Sequence, residues 1–463
     1  MKSLKYACFL ILMVLGSTGC KKYLDIVPKG KIIPQTTNDF RLLLDQTTPK
    51  GKSNGFVNSF SNDVLIGDDM EINAFSASFY KAPDQNVFTF AENIYQDFES
   101  DPDWEALYNQ IYVTNLVITQ VMDAEGGTTA EKAELLSEAK VQRAYAYLIL
   151  VNLYAKQYNP ATAAADPGVP LRKGLDFEEK LPRATVQEVY DYILQDLKQA
   201  LGNLPVAPQL NLNFRPVEAA AYALLARTSL YMNNVAWALD YANSSLQRYS
   251  SLIDYNTLPA SQTFPGTIQE PIGLQNKEVL LLKSVVSSSS FFYGNAGLMS
   301  LYDQQNDLRF KARFANDAAF GLNNGFICTE WSGKTPSKGP STAEMLLVRA
   351  ECYARTGKTT DAINDLNTLR STRYKTGSNF ALSASSSAQA LSLVKQERRR
   401  ELAFLGFRWF DIKRYNVVDN DQISVVHSIN GATYTLVPSS PRTVLPIGRK
   451  YIDLNPEIVQ SPR

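Results

Sequence analysis

An apolar period of 3.6 residues, established at Trp104 and renewed in later segments, commits much of this 463-residue chain to packed helices. Trp104, Leu107, Ile111, Leu116 and Val121 fit one helical face. Leu135–Tyr158 predicts a second helix, carried by Leu136, Val141, Ala144, Tyr145, Leu148, Val151 and Leu153. Residues 185–204 predict a third: Val189, Ile193, Leu197, Leu201 and Leu204 step by four and three, and Thr185 with Glu188 reads as its capping box. Pro216–Tyr249 and Ser341–Tyr374 each predict a helical hairpin. A helix with an apolar stripe has to bury it against a neighbour, so such a series folds as a bundle or a stacked array.

The two hairpins resemble each other. Ala350, Tyr353, Gly357 and Ala362 match the tetratricopeptide pattern of small, aromatic, turn and small residues. Ala226 and Ala238 keep the separation of Ala350 and Ala362, and Asn233 takes the turn position of Gly357. Gly and Asn both tolerate the left-handed backbone that such a turn needs. Repeats of about 34 residues are stable only when several stack. The length allows two cores or one elongated array. The expected fold is mostly α: a tetratricopeptide-like hairpin scaffold over about 104–250 and 341–374, with long irregular loops and few short strands. Residues 20–100 are rich in Asn, Asp, Ser and aromatics and lack a sustained period, so they read as loops and short helices. Residues 251–340 are rich in Ser, Gly, Pro and Asn, and a long irregular stretch inside an ordered chain usually carries function.

The N-terminus reads as an export signal. Lys2 and Lys5 precede an uncharged apolar run, Ala7–Leu15, and small residues lead to Cys20. The run is too short to span a bilayer, which takes roughly 20 residues. Ser17–Cys20 looks like a lipobox, with 1–19 as signal peptide and Cys20 as the lipidation site. Removing Lys2 and Lys5 from 46 basic residues leaves 44 against 46 acidic ones. That near-neutral balance argues against a nucleic-acid partner. Of the cysteines that remain beyond Cys20, Cys328 and Cys352 could pair in an oxidising compartment. The single histidine, His427, reads as a surface strand residue, and with no cysteine cluster a zinc site is not expected.

The strongest motif is ERRRELAFLGFRWFDIKR, Glu397–Arg414. Leu402, Leu405, Trp409 and Ile412 form an apolar helical stripe that includes Arg398, so Arg398 is expected to meet a carboxylate. The segment reads as a structural helix against the core. It resembles the C-terminal signature of the SusD/RagB family of outer-membrane nutrient-binding lipoproteins of Bacteroidetes, with Leu405 and Phe407 where Glu and His are common. CKKYLDIVPKG from Cys20, the Asp68–Asp69 segment, the Trp104…Tyr108…Asn115 helix, LYDQQNDLRF from Leu301 and the tail LPIGRKYIDLNPEIVQSP from Leu445 also resemble that family, in its order. The signature and tail together occupy 391–463 of a SusD-like domain, 20–463. The resemblance implies an α-helical, non-enzymatic protein without cofactor, lipid-anchored on the outer membrane and facing the exterior. Its partner would be a SusC-like TonB-dependent transporter, and its ligand a glycan or, in some members, a peptide.

Sugars offer C–H faces to aromatic rings and hydroxyls to amides and acids. Phe291, Phe292 and Tyr293, before Gly294 and Asn295, are one candidate cluster, and Trp331 is another. Phe79 and Tyr80 are a third. Trp104 opens an apolar helical face, where core packing competes with ligand contact, while Trp237 and Trp409 read as repeat and core residues. A glycoside hydrolase would need two carboxylates flanking the bond. Asp68, Asp69, Glu71 and Glu330 are available, but no spacing selects a pair, and Asp68–Asp69 reads equally as a turn or a cation site.

Overall fold

The computed structural model describes residues 34–46, 55–59, 62–176, 178–264, 266–285, 292–329 and 336–463. The scaffold helices are α1 Thr37–Asp45, α2 Pro102–Gln120, α3 Thr129–Tyr154, α4 Val186–Ala200, α5 Glu218–Tyr231, α6 Val235–Arg248, α7 Thr342–Arg355, α8 Thr359–Ser371, α9 Ser387–Glu401 and α10 Phe407–Val418. Local chemistry sets their starts. The Glu188 amide donates to Thr185 Oγ1 at 3.2 Å while the Thr185 amide donates to Glu188 Oε2 at 2.8 Å, so the expected box opens α4. A second box, Thr128 with Glu131, starts α3 earlier than the apolar period alone indicates. Asp101 caps α2, with Pro102 at its first position.

The helices stack in order. α2 lies on α3, α3 on α4, α4 on α5, α5 on α6, and α7 on both α8 and α9. The two tetratricopeptide-like hairpins, α5–α6 and α7–α8, are separated along the chain but meet in space through α6 and α7. Their turns behave as the pattern requires: Asn233 has φ 58° and Gly357 has φ 82°. Ala226, Ala238, Ala350 and Ala362 are fully buried. The close approach they permit lets the Ser245 hydroxyl of α6 donate to the Ala219 carbonyl of α5 at 2.8 Å. Across the seam, Arg227 of α5 forms a buried fork with Glu344 of α7 at 2.7 and 2.6 Å.

Among the described residues four short pieces of sheet accompany this array: two are the pairs β1 Val57–Ser59 with β5 Ser284–Val285 and β3 Pro167–Pro170 with β4 Arg183–Thr185, and two are larger. One has the order β2 Met70–Glu71, β6 Tyr293–Gly294, β8 Phe326–Cys328 and β7 Phe314–Asn316, all antiparallel. The other is the hairpin β9 Val425–Ile429 with β10 Ala432–Leu436, turned by Asn430 and Gly431, both at positive φ.

Two expectations change, and the open question of the cysteine pairing is answered. Glu397–Arg414 is not one helix: the chain leaves α9 after Glu401 and enters α10 at Phe407, with Phe404 at φ 62° and Gly406 at φ 80° between them. The apolar spacing survived because both helices bury that side. His427 lies on β9 as a strand residue, but it is buried rather than at the surface. Its ring stacks on Phe88 at 3.9 Å and Phe90 at 4.9 Å, and its nitrogens lie 2.6 Å from the Phe88 carbonyl and 2.8 Å from that of Gly67. Cys352 is a free thiol, pushed up to about 12 by burial, so it makes no bridge to Cys328. Arg398 does meet its carboxylate, Asp411 Oδ2 at 2.7 Å.

Candidate functional site

The irregular region closes on one phenol. Tyr293 leaves β6 fully buried and donates from its hydroxyl to Asp317 Oδ2 at 3.0 Å, with Asn73 and Asn324 close by. Burial pushes the phenol up to about 12. Burial works against the Asp317 charge, but the Asn324 side chain and the amides of Asn324 and Gly325 outweigh it and hold the carboxyl below its usual range.

Two ring-bearing turns begin beside this bond. Asn73 accepts from the Ser76 amide at 2.8 Å and so sets the turn Ser76–Phe79. That turn presents Phe79, 42% exposed, with Phe75 at 5.3 Å between ring centres. Asp317 begins the turn Asp317–Phe320, which presents Phe320, 47% exposed, with Phe264 edge-on at 6.0 Å. Glu71, paired in register with Tyr293, is half-buried, and burial raises its carboxyl. The two turns offer exposed ring faces, on which the C–H face of a sugar can stack.

The residues singled out from sequence divide. Trp331, Phe291 and Glu330 lie outside the described residues, as does Cys20. Tyr293 and Phe292 are fully buried, and Tyr80 and Trp104 nearly so, which leaves none of them a ring face for ligand. Phe292 packs edge-on between Tyr80 at 6.0 Å and Phe404 at 6.3 Å, a loop aromatic folded back as a plug. Trp104 packs on Tyr108, Tyr154 and Tyr451, so core packing accounts for it. Phe79 keeps an exposed ring, and Phe320, which sequence reasoning passed over, joins it. Trp409 is core; Trp237 is on a repeat helix yet 42% exposed, with the Lys198 ammonium 4.9 Å above its ring.

Of the carboxylates considered for hydrolysis, Asp68 and Asp69 are engaged. Arg408 grips Asp68 at 2.6 and 2.9 Å, and Arg399 holds Asp69 at 2.7 Å. These bonds explain the adjacent pair as an anchor for the C-terminal signature. Among the described residues no group of three or more His, Cys, Asp or Glu is placed to hold a metal. No helix among them is long and apolar enough to cross a membrane. A cavity lies elsewhere, below the β9–β10 hairpin.

Comparison with known proteins places these features among relatives. A family model described as "Starch-binding associating with outer membrane" matches residues 22–230, and one described as "SusD family" matches residues 342–463. A SusD-like protein of Formosa agariphila is 23% identical over 77% of this chain and 78% of its own. A SusD superfamily protein from Bacteroides thetaiotaomicron superposes with a TM-score of 0.73 at 18% identity, over 92% of this chain and all of the other. A laminarin-binding SusD-like protein superposes with a TM-score of 0.59 at 18% identity, over 92% of this chain and 97% of its own.

Proposed function

Because this chain belongs to the SusD/RagB family, we propose that it captures oligosaccharide or polysaccharide at the cell surface and passes it to a SusC-like TonB-dependent transporter. Lipid on Cys20 would hold it to the outer membrane, consistent with the outer-membrane association in the family description. The observation that carries the reading is the pair of exposed rings, Phe79 and Phe320, on turns set by Asn73 and by Asp317, the second tied to the buried Tyr293 hydroxyl. Rings on turns so fastened lose little freedom when a sugar stacks on them. The laminarin-binding relative supports a glucan among the first ligands to try. The Arg-held state of Asp68 and Asp69 supports binding without hydrolysis.

The test uses the chain from residue 21, without lipid, in gels containing laminarin, starch or another polysaccharide. Retardation is expected in at least one gel. Phe79→Ala with Phe320→Ala should remove it, since each stacked ring contributes on the order of 1 kcal/mol. Trp331→Ala tests the remaining sequence candidate in the same gel. Retardation unchanged in the folded double variant would move the site off this face, and release of reducing sugar would revive the hydrolase.

A further inference from the structure

The C-terminal signature pairs its charges thoroughly. Glu397, Arg398, Arg399, Arg400, Glu401, Arg408, Asp411 and Arg414 each meet an opposite charge within 3.1 Å. Lys413 is the exception. It is buried, and its ammonium donates only to two backbone carbonyls, Asn152 at 2.8 Å and Ala155 at 2.7 Å, at the end of α3. An ammonium carries three donors, so one is left over, and among the described residues no carboxylate lies against it. A helix C-terminus welcomes a cation but neutralises it only in part.

Lys413 lines the cavity, which has a volume of about 590 Å³. Its walls are the end of α3, the α10 side chains and the β9–β10 hairpin, and Ile412, Val425, Leu436 and Val444 make it largely apolar. Two further lining residues bring buried polar atoms without a protein partner. Trp409, 1% exposed, has an unanswered indole Nε1–H. Gln157, 5% exposed, uses Nε2 on the Tyr231 carbonyl but leaves Oε1 unanswered. Such atoms cost free energy unless something satisfies them. The cavity's own acid, Asp166, is already paired with Lys156 at 2.7 Å.

The geometry points to a second binding site, for a small carboxylate with an apolar body. The carboxylate takes the spare donor of Lys413, the Trp409 and Gln157 atoms stay sealed behind the wall, and the apolar part fills the space under the hairpin. The volume lies within the usual range for small-molecule sites, about 300–1,000 Å³. This site is separate from the ring-bearing turns, and its existence does not depend on glycan capture.

The probe is phenyllactate, titrated into the chain from residue 21 by calorimetry and by saturation-transfer NMR, with methyl phenyllactate as the uncharged control. Phenyllactate should bind, and the ester at least tenfold more weakly. Val437→Trp, at the half-exposed rim of the cavity, should fill it and weaken binding at least tenfold while leaving unfolding temperature and polysaccharide retardation unchanged. Lys413→Met should also lose the carboxylate preference. If that variant does not fold, the Val437→Trp comparison still decides. No phenyllactate binding, equal binding of acid and ester, or full binding by folded Val437→Trp would each overturn the assignment.

Discussion

Gly406 offers the sharpest test of how the signature is held. It stands at φ 80° between α9 and α10, and a Cβ there would meet Asp63 Oδ2 at 2.2 Å. Asp63 cannot swing away freely, because it is buried and ion-paired with Lys338. Gly406→Ala therefore combines two costs. The left-handed backbone costs a residue with a side chain about 1–2 kcal/mol. Displacing one member of a buried pair costs about 3–5 kcal/mol, less whatever relaxation recovers. We expect a total of about 3–5 kcal/mol. Gly431 supplies the control: it has φ 78°, but nothing lies within 4 Å of the Cβ it would gain. Gly431→Ala should show the backbone cost alone, about 1–2 kcal/mol. Urea unfolding of both variants at constant pH measures the difference. If Gly406→Ala falls within about 0.5 kcal/mol of Gly431→Ala, the contact with Asp63 holds nothing, and the argument from close approach fails.

Other outcomes follow from the charges. Burial opposes ionisation of Glu397, but Arg309, Arg400 and Arg370 outweigh it and hold the carboxyl well below its usual range. Its contribution is present above the unfolded value, about 4.3, and is lost as pH falls through the folded value, so Glu397→Gln should destabilise at neutral pH and flatten urea midpoints measured between about pH 5 and 2. Asp101 runs the other way: burial raises it to about 6, against hydrogen bonds from Tyr154 and the Trp104 and Asp103 amides. With a folded value above the unfolded one, stability declines as pH rises from about 4 to 6, and Asp101→Asn, which keeps a capping oxygen, should remove that decline in the same titration. Tyr293→Phe should change unfolding free energy by about 1 kcal/mol yet weaken polysaccharide retardation several-fold, by releasing the turn that Asp317 begins and that carries Phe320.

The scaffold was legible because its signals are local. Alanines at equal separation, a left-handed residue at the same offset and a Thr…Glu box each fold as they read. The start of α3 was equally available in Thr128 and Glu131, and the β9–β10 turn in Asn430–Gly431. The break at Gly406 was masked, since Leu402 and Trp409 are buried on either side of it and keep a helical spacing across a turn. The binding face was harder to read. Whether a loop aromatic faces water depends on distant partners: Tyr293 turns inward for Asp317, while Phe320, with no distinguishing pattern, stays outside. Lys413 also looks like its charged neighbours in sequence, and differs only in what the fold sets beside it.

The meeting of α6 with α7 brings together the two ends of the segment between them. The scaffold therefore closes this long loop by itself, and the entropy of closure falls on helix packing rather than on the loop's own contacts. Doubling the length of a loop already closed adds only about 0.6 kcal/mol. Within the segment the exposed turn that carries Phe320 can therefore lengthen, shorten or change its ring at little expense, whereas Phe292, Arg309 and Phe314 are bound into the core and the C-terminal signature and stay fixed.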